Sequence, residues 1–195
     1  MDLKRIADEA KNGVVETHPD NGQEAKNGVV ETYYDNGHLE SRSNYENDEL
    51  HGLREVWFEN GKLLARANYQ NGELDGLYEI WHANGQLESR VHFKDGKHNG
   101  LRETWYENGQ LKSRSNYEND KLNGLRESWY ENGQLELRAI SKNGELDGLW
   151  EIWYKNGQLR ERANYKDDKL DGLRETWDEN GKLQESATYK NGVKQ

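Results

Sequence analysis

Residues 100–123 read GLRETWYENGQLKSRSNYENDKLN, and a shift of 24 residues places this stretch on a similar one on either side. A glycine opens each copy, at Gly52, Gly76, Gly100, Gly124, Gly148 and Gly172. A tryptophan follows five residues later each time, at Trp57, Trp81, Trp105, Trp129, Trp153 and Trp177. Such a fixed period predicts a repeat array, in which each unit packs on its neighbours and not into one central core.

The composition supports a thin array. Hydrophobic residues make up only 32% of the chain and the net charge is −10, values that approach those of a disordered protein. However, 7 tryptophans and 11 tyrosines recur periodically, and a disordered segment has no reason to space its aromatic residues. There is too little aliphatic material for a thick two-layer core, so we expect an extended array.

The sequence disfavours several classes of protein. The chain has no cysteine, which excludes disulfides and zinc–thiolate sites. The N-terminus lacks the apolar region of a signal peptide, and no stretch approaches a membrane span, so we expect a cytoplasmic protein. The acidic balance argues against nucleic acid as a partner and against direct membrane binding, because both depend mainly on Lys and Arg.

The chain divides into an N-terminal cap and a run of equal units. Residues 1–12 are predicted to form a short capping helix, because Leu3, Ile6, Ala7 and Ala10 share one helical face. Residues 13–27 read as a degenerate partial repeat. Seven units of 24 residues follow: 28–51, 52–75, 76–99, 100–123, 124–147, 148–171 and 172–195.

Each unit reads as a β-hairpin. A β-prone run at 101–106 meets Asn108-Gly109, a dipeptide typical of the type I′ turn, in which both central residues have positive φ. A second run at 111–117 reaches another turn at Asn119-Asp120. The predicted fold is therefore all-β, an elongated single-layer antiparallel meander of tandem hairpins.

Counting outward from a two-residue turn gives the register. In the unit at Gly76, Trp81 is expected opposite Glu88, Glu79 opposite Arg90, and Gly76 opposite Phe93. The same count predicts the ionic pairs Glu55–Arg66, Glu103–Arg114, Glu127–Arg138 and Glu151–Arg162, with Glu175 facing Ser186. It also sorts side chains onto two faces. One carries Leu77, Glu79, Trp81 and Arg90, and the other carries Leu74, Gly76, Ile80, Leu87 and Phe93.

The recurring motif resembles a known repeat. Residues 69–87 follow the pattern Tyr-x-Asn-Gly-x-Leu-x-Gly-Leu-x-x-x-Trp-x-x-Asn-Gly-x-Leu, which is similar to the MORN (membrane occupation and recognition nexus) repeat and closer to its bacterial variant. The resemblance covers residues 28–195. It implies a twisted, extended sheet of hairpins.

Two functions follow from this resemblance. Eukaryotic members imply scaffolding and contact with membrane lipid. The bacterial variant is similar to proteins catalogued as the YwqK family of toxin–antitoxin antitoxins, which implies a protein-binding neutraliser. Nothing in these residues identifies a toxin.

No set of residues predicts chemistry. The six histidines, His18, His38, His51, His82, His92 and His98, occupy different repeat positions, so no metal site is expected. Acidic turns such as residues 46–49 match no calcium-loop motif, and the chain lacks nucleotide-binding and nucleophile motifs. We therefore expect neither a cofactor nor catalytic residues, and the chain is predicted not to be an enzyme.

The tryptophan column is the candidate site. Trp57, Trp81, Trp105, Trp129, Trp153 and Trp177 are predicted to bind a partner, because a single layer leaves aromatic surface accessible and Trp and Arg dominate binding hot spots. The competing interpretation is that these rings only pack on Leu and on Arg stems within the sheet. Trp150 is expected on the opposite face, and if the column is buried, function belongs to the Arg/Tyr face or the sheet edges.

The leading expectation is a non-enzymatic protein-interaction module or scaffold, with the antitoxin of a toxin–antitoxin pair as its specific form. The acidity favours a basic partner, such as a basic toxin. Carbohydrate binding and a membrane-associated MORN scaffold are the alternatives, and the sequence leaves the oligomeric state open.

Overall fold

The computed structural model describes residues 25–195, which form one sheet of 15 strands. The strands are β1 (Gly28–Tyr33), β2 (Leu39–Glu46), β3 (Glu49–Trp57), β4 (Leu63–Gln70), β5 (Glu73–Trp81), β6 (Leu87–Lys94), β7 (Lys97–Trp105), β8 (Leu111–Glu118), β9 (Lys121–Trp129), β10 (Leu135–Lys142), β11 (Glu145–Trp153), β12 (Leu159–Lys166), β13 (Lys169–Trp177), β14 (Leu183–Lys190) and β15 (Val193–Lys194).

Strand order equals chain order, and every neighbouring pair is antiparallel. This confirms the predicted all-β meander of hairpins. The described part of the chain contains no helix with the length and hydrophobicity needed to cross a bilayer. The capping helix predicted over 1–12 lies outside the described residues, as does most of the partial repeat at 13–27.

The turns that join one hairpin to the next are type I′. Asn71 and Gly72 have φ values of 49° and 77°, and both angles are positive, as this turn requires. Asn47 and Asp48 repeat the geometry with φ values of 51° and 67°. Asn and Asp tolerate the left-handed region better than other side chains, which explains why they recur at these positions.

The Asn-Gly turns within each unit are different, and the prediction of a type I′ turn there is wrong. At residues 82–86 only Gly85 has positive φ, at 92°. The amide of Gly85 donates to the carbonyl of His82 at 2.8 Å, and the amide of His82 donates to the carbonyl of Gln86 at 2.8 Å. This is a type I turn followed by a glycine bulge. The Asn84 carboxamide accepts from the Gln86 amide at 2.8 Å, so asparagine serves here through its side chain.

The bulge shifts one end of the predicted register. Trp81 pairs with Leu87 and not with Glu88. Leu87 was expected on the face that carries Ile80, but it lies opposite Trp81 instead. Beyond the bulge the register is as predicted, with Glu79 opposite Arg90 and Gly76 opposite Phe93. The remaining predicted cross-strand pairings are also confirmed: Glu55–Arg66, Glu103–Arg114, Glu127–Arg138, Glu151–Arg162 and Glu175–Ser186. The Arg114 side chain, however, forms its ion pair with Glu127.

A second irregularity lies at the repeat glycine. Between strands β4 and β5 the pairing passes from Ala67–Tyr78 to Tyr69–Leu74, so that Asn68 faces a bulged segment around Gly76. Gly76 has a φ of 110°, and a Cβ on it would lie 3.3 Å from the Asn68 Cβ. The glycine is therefore required by backbone conformation and by the preceding strand, and not only by the aromatic ring of Phe93. Because the bulge adds an even number of residues, the side chains keep their faces.

One face of the sheet is buried although only strands adjacent in the chain are in extensive contact. Its core cluster consists of Ala65, Ala67, Tyr69, Tyr78 and Ile80. Along this face, which we call the inner face, Tyr78 pairs with Ala67 on one side and Val91 on the other. Ala67 and Val91 are 4% and 1% exposed, which indicates that long side chains on one strand of each hairpin cover short ones on its neighbours. We call the opposite face, with the Glu, Arg and Trp columns, the ladder face.

Candidate interaction surfaces of the sheet

The ladder face carries a line of ion pairs that crosses the units. The Arg90 Nε donates to the Glu79 carboxylate at 2.9 Å. Arg66 and Glu55 repeat this contact at 2.9 Å between Arg66 Nη2 and Glu55 Oε1. Each glutamate side chain is more buried than its arginine partner, as shown by Glu79 at 12% exposure beside Arg90 at 41%. The arginines therefore form the outer surface of this face.

In the centre of the ladder the pairs join into a continuous network. Glu127 is 4% exposed and accepts from Arg114 at 2.7 Å and from Arg138 at 3.0 Å. Glu151 is equally buried and lies between Arg138 and Arg162. Burial alone would raise the pKa of Glu127, but the hydrogen bonds from Arg114 and Arg138 outweigh it and hold that pKa below its ordinary value.

The same arginines lie over the tryptophans of the next unit. The distance from the guanidinium carbon to the indole ring centroid is 5.8 Å for Arg66 over Trp81 and for Arg138 over Trp153. This separation is within the range of a cation–π contact. The contact recurs at Arg42–Trp57, Arg90–Trp105 and Arg114–Trp129. Arg42, Arg66, Arg90 and Arg138 thus join a glutamate of one unit to a tryptophan of the next, whereas Arg114 contacts Glu127 and Trp129, both of the next unit.

The structure places all six predicted tryptophans in one column on the ladder face. Each is partly buried, neither enclosed nor fully accessible. Five of the rings therefore pack on arginine, as the competing interpretation expected, and all six also keep accessible surface. Trp150 lies on the inner face as predicted, where its ring is 6.1 Å from that of Tyr165 in an edge-on arrangement.

The tips of the hairpins are also linked. The Tyr106 hydroxyl donates to the carbonyl of Trp129 at 2.8 Å, and the Tyr130 hydroxyl donates to that of Trp153 at 2.8 Å. Asn84 donates its side-chain amide to the Glu107 carbonyl at 2.8 Å. Since these bonds join residues 23 positions apart, they hold successive units at a fixed spacing along one edge of the array.

The described histidines have local roles. His82 contacts the carbonyl of Trp105 at 3.3 Å, and His92 contacts the carbonyl of Leu101 at 3.1 Å, positions at which other units use tyrosine and asparagine. His98 lies between the rings of Phe93 and Tyr117, with centroid distances of 4.6 and 5.4 Å. Within residues 25–195 no three or more carboxylate or imidazole groups are arranged to hold a metal ion.

The sequence interpretation missed a cleft on the inner face. Its volume is about 570 Å³ and its lining includes Ser89, Arg102, Lys112, Ser113, Ser115 and Arg126. The signal for it was present, because the residue two positions after the repeat glycine faces inward and is Tyr78 or Trp150 in some units but Arg102 or Arg126 in others. Arg102 is partly buried and Arg126 is exposed, and two arginines at a position where other units place an aromatic ring mark a candidate site. We call this region the arginine cleft.

The fold and its two faces define an open array of β-hairpin repeats with nearest-neighbour side-chain ladders. Seven segments match the MORN repeat variant, at residues 26–47, 50–71, 74–95, 99–119, 122–143, 146–167 and 170–191. The chain therefore belongs to the MORN repeat family. MORN repeats generally mediate interactions with proteins and membranes. No curated protein matches the chain.

Proposed function

We propose that this protein is a non-enzymatic interaction module that binds a protein partner along the ladder face. The observation that carries the proposal is the column of partly accessible tryptophans, of which five are capped by arginines that are themselves 41–46% exposed. No described strand covers this column, since strands contact extensively only their neighbours in the chain. Trp and Arg supply most binding energy at protein interfaces, and here both are held in place before binding.

The arrangement of arginines and tryptophans on the ladder face favours a protein partner over a sugar or a membrane. Each of five tryptophan rings has its own arginine over one face, and ring faces are the surfaces that a sugar would need for stacking. A membrane scaffold is a general possibility for MORN repeats, but a net charge of −10 opposes binding to anionic lipid. Both remain alternatives to be separated from protein binding by experiment.

The antitoxin role is the specific form of the proposal. Its support is the resemblance of the motif to the bacterial antitoxin family and the acidity of the chain, which favours association with a basic partner. It predicts a partner that inhibits growth when expressed alone. Co-expression of this chain should relieve that inhibition, and absence of relief would remove the antitoxin role while leaving protein binding intact.

The proposal is tested by affinity capture of a partner from the native host with the tagged full chain. We expect the wild-type chain to retain a protein in stoichiometric amount, and Trp105→Ala combined with Trp129→Ala to lose it. Circular dichroism of the variant establishes that the sheet is still folded. Trp150→Ala, on the inner face, is the matched control and should keep the partner. Equal capture by the folded double variant would contradict the proposal.

Acrylamide quenching of tryptophan fluorescence gives an independent check. We expect intermediate quenching in the folded state and protection when the partner is added. Quenching that does not change in the complex would show that the partner binds elsewhere.

A further inference from the structure

The arginine cleft places two guanidinium groups on either side of one serine. Arg102 and Arg126 both pair with Ser115, from the two strands that flank it. Because neighbouring strands are about 4.8 Å apart, the two arginines start roughly 10 Å apart on the same row. Two side chains of this length can converge on a small anion held above Ser115.

Another arginine of the same column shows what such a group binds. Arg174 occupies the equivalent inward position in the last unit and donates to Glu161 at 2.6 Å and to Glu185 at 3.2 Å. Glu161 lies 13 residues before Arg174, and Glu185 lies 11 residues after it. Carboxylates from the two adjacent strands therefore satisfy this inward arginine.

These carboxylates are missing around the cleft. The positions equivalent to Glu161 and Glu185 are Ser89 and Ser113 for Arg102, and Ser113 and Leu137 for Arg126. Among the described residues neither Arg102 nor Arg126 forms an ion pair. The two arginines keep the position of Arg174 and lack its internal partners.

The cleft also contains unsatisfied hydrogen-bonding groups. Ser89 is 3% exposed, and its Oγ has no hydrogen-bond partner in residues 25–195. The Arg102 Nε is buried and is likewise without a partner in this part of the chain. A buried polar atom without a partner destabilises the folded protein. An anion bound between Arg102 and Arg126 would satisfy the Arg102 Nε.

The local charge differs from that of the whole chain. Arg102, Lys112 and Arg126 line the cleft together with Glu88 and Glu107, so its lining is net cationic in a protein of net charge −10. The negative net charge of the whole chain therefore attracts a basic partner, whereas the cleft attracts a carboxylate on the part of the partner that enters it.

We propose that the arginine cleft binds an acidic side chain of a peptide segment, with the ligand carboxylate taking the place that Glu161 and Glu185 take beside Arg174. An Asp or Glu side chain has the size and charge of the internal partner. This inference rests on the proposed role in protein interaction. The two arginines lie on the opposite face of the sheet from the tryptophan column, of which Trp105 also lines the cleft.

The test uses the full chain and an acetylated (Glu-Gly)₄ peptide, followed by NMR of the arginine Nε–Hε signals. We expect saturable shifts of the Arg102 and Arg126 signals, and no shift with (Gln-Gly)₄ at the same concentration. Arg102→Gln and Arg126→Gln should each weaken binding by about tenfold or more. Arg174→Gln, which removes an arginine already paired within the chain, should leave binding unchanged.

Ser113→Glu gives a second and sharper variant. It places a carboxylate 11 residues after Arg102 and 13 before Arg126, the spacings of Glu185 and Glu161 from Arg174. We expect this internal carboxylate to occupy both arginines, to block the peptide and to stabilise the fold. The isosteric Ser113→Gln supplies no charge and should block binding much less.

Three results would overturn the inference: no shift of the two arginine signals, binding that Ser113→Glu leaves intact, or tighter binding of inorganic phosphate or phosphatidylserine vesicles than of the peptide. If the peptide does not bind but partner capture still depends on the tryptophans, the cleft proposal is rejected and the ladder-face proposal stands. If the peptide binds but partner capture does not depend on the tryptophans, the ladder-face proposal is rejected and the cleft proposal stands.

Discussion

Arg138 of one unit lies over the indole ring of Trp153 in the next, with 5.8 Å between the guanidinium carbon and the ring centroid. The same arginine donates its Nε to Glu127 at 3.0 Å. One side chain thus couples a hairpin to its successor through both charge and an aromatic face. Because repeat arrays depend on nearest-neighbour interfaces, contacts of this kind make separate hairpins unfold together.

Replacing Arg138 by glutamine should weaken this coupling. The variant loses a cation–π contact and its ion pairs with Glu127 and Glu151, and we expect about 1–2 kcal/mol less stability in urea unfolding. Lys142→Gln, at the exposed end of β10, is the control and should change stability by less than about 0.5 kcal/mol. Equal effects of the two variants would show that the ladder does not couple the units.

The buried Glu127 should make stability depend on pH. Its pKa is lower in the folded protein than in the unfolded chain, so its contribution is present above the unfolded value of about 4.3 and is lost as pH falls through the folded value. We expect the unfolding midpoint of the wild type to fall on acidification below about pH 5 more steeply than that of Glu127→Gln. Glu131→Gln, at an exposed hairpin tip, is the matched control variant.

Phe58 offers a gain-of-stability prediction. It occupies the position at which Tyr106 and Tyr130 donate to the tryptophan carbonyl of the next unit, and it lacks the hydroxyl. Phe58→Tyr should form the corresponding bond to Trp81 and raise the free energy of unfolding by about 0.5–1.5 kcal/mol, while Tyr130→Phe should lower it by a similar amount. Thermal unfolding of both variants measures these two changes in stability. A loss of stability in both would mean that the tips do not tolerate the extra hydroxyl.

Two repeat glycines should differ in their tolerance of alanine. Gly148 and Gly124 have φ values of 130° and 104°, so alanine is strained at both. A Cβ at 148 would lie 3.2 Å from the Ile140 Cβ, whereas at 124 the nearest atom is the Asn116 Cβ at 3.8 Å. Gly124→Ala should cost about 1–3 kcal/mol, and Gly148→Ala should cost more because a contact is added to the strain. Chemical unfolding of the two variants decides the order.

Tyr78 should ionise only at high pH. Its burial on the inner face raises its pKa to about 12. Because the unfolded pKa is about 10, its contribution to stability is complete below that value and is lost as pH rises toward the folded pKa. Ultraviolet titration should show one tyrosinate fewer at high pH in Tyr78→Phe than in the wild type. If the missing group instead titrates near pH 10, Tyr78 is accessible to water and the inner face is open at that point.

The period of 24 residues predicted the hairpins, their order and most of their register, because identical units face identical neighbours and the pairing of Glu79 with Arg90 repeats along the chain. It also predicted the tryptophan column, since side chains alternate between the faces of a strand. The aromatic rings opposite the repeat glycines follow from the same count, as Gly76 and Phe93 show.

Turn geometry was not predictable from the dipeptide. Asn71-Gly72 and Asn84-Gly85 have the same sequence but adopt a type I′ turn and a type I turn with a bulge. The difference arises from loop length, because Asn71 and Gly72 are the whole loop between β4 and β5, whereas Asn84 and Gly85 belong to the longer loop of residues 82–86 between β5 and β6. That bulge also changed the partner of Trp81 from Glu88 to Leu87.

By itself, the sequence determined a repeat array of antiparallel hairpins with charge and tryptophan on one face, because local turn and strand preferences recur at a constant spacing. Only the tertiary structure decided which inward arginines are satisfied. Arg174 meets two carboxylates from adjacent strands, while the equivalent positions around Arg102 and Arg126 hold serines and a leucine. The physical reason is that an arginine finds its partners across strands, at separations of 11 and 13 residues that acquire meaning only through the register.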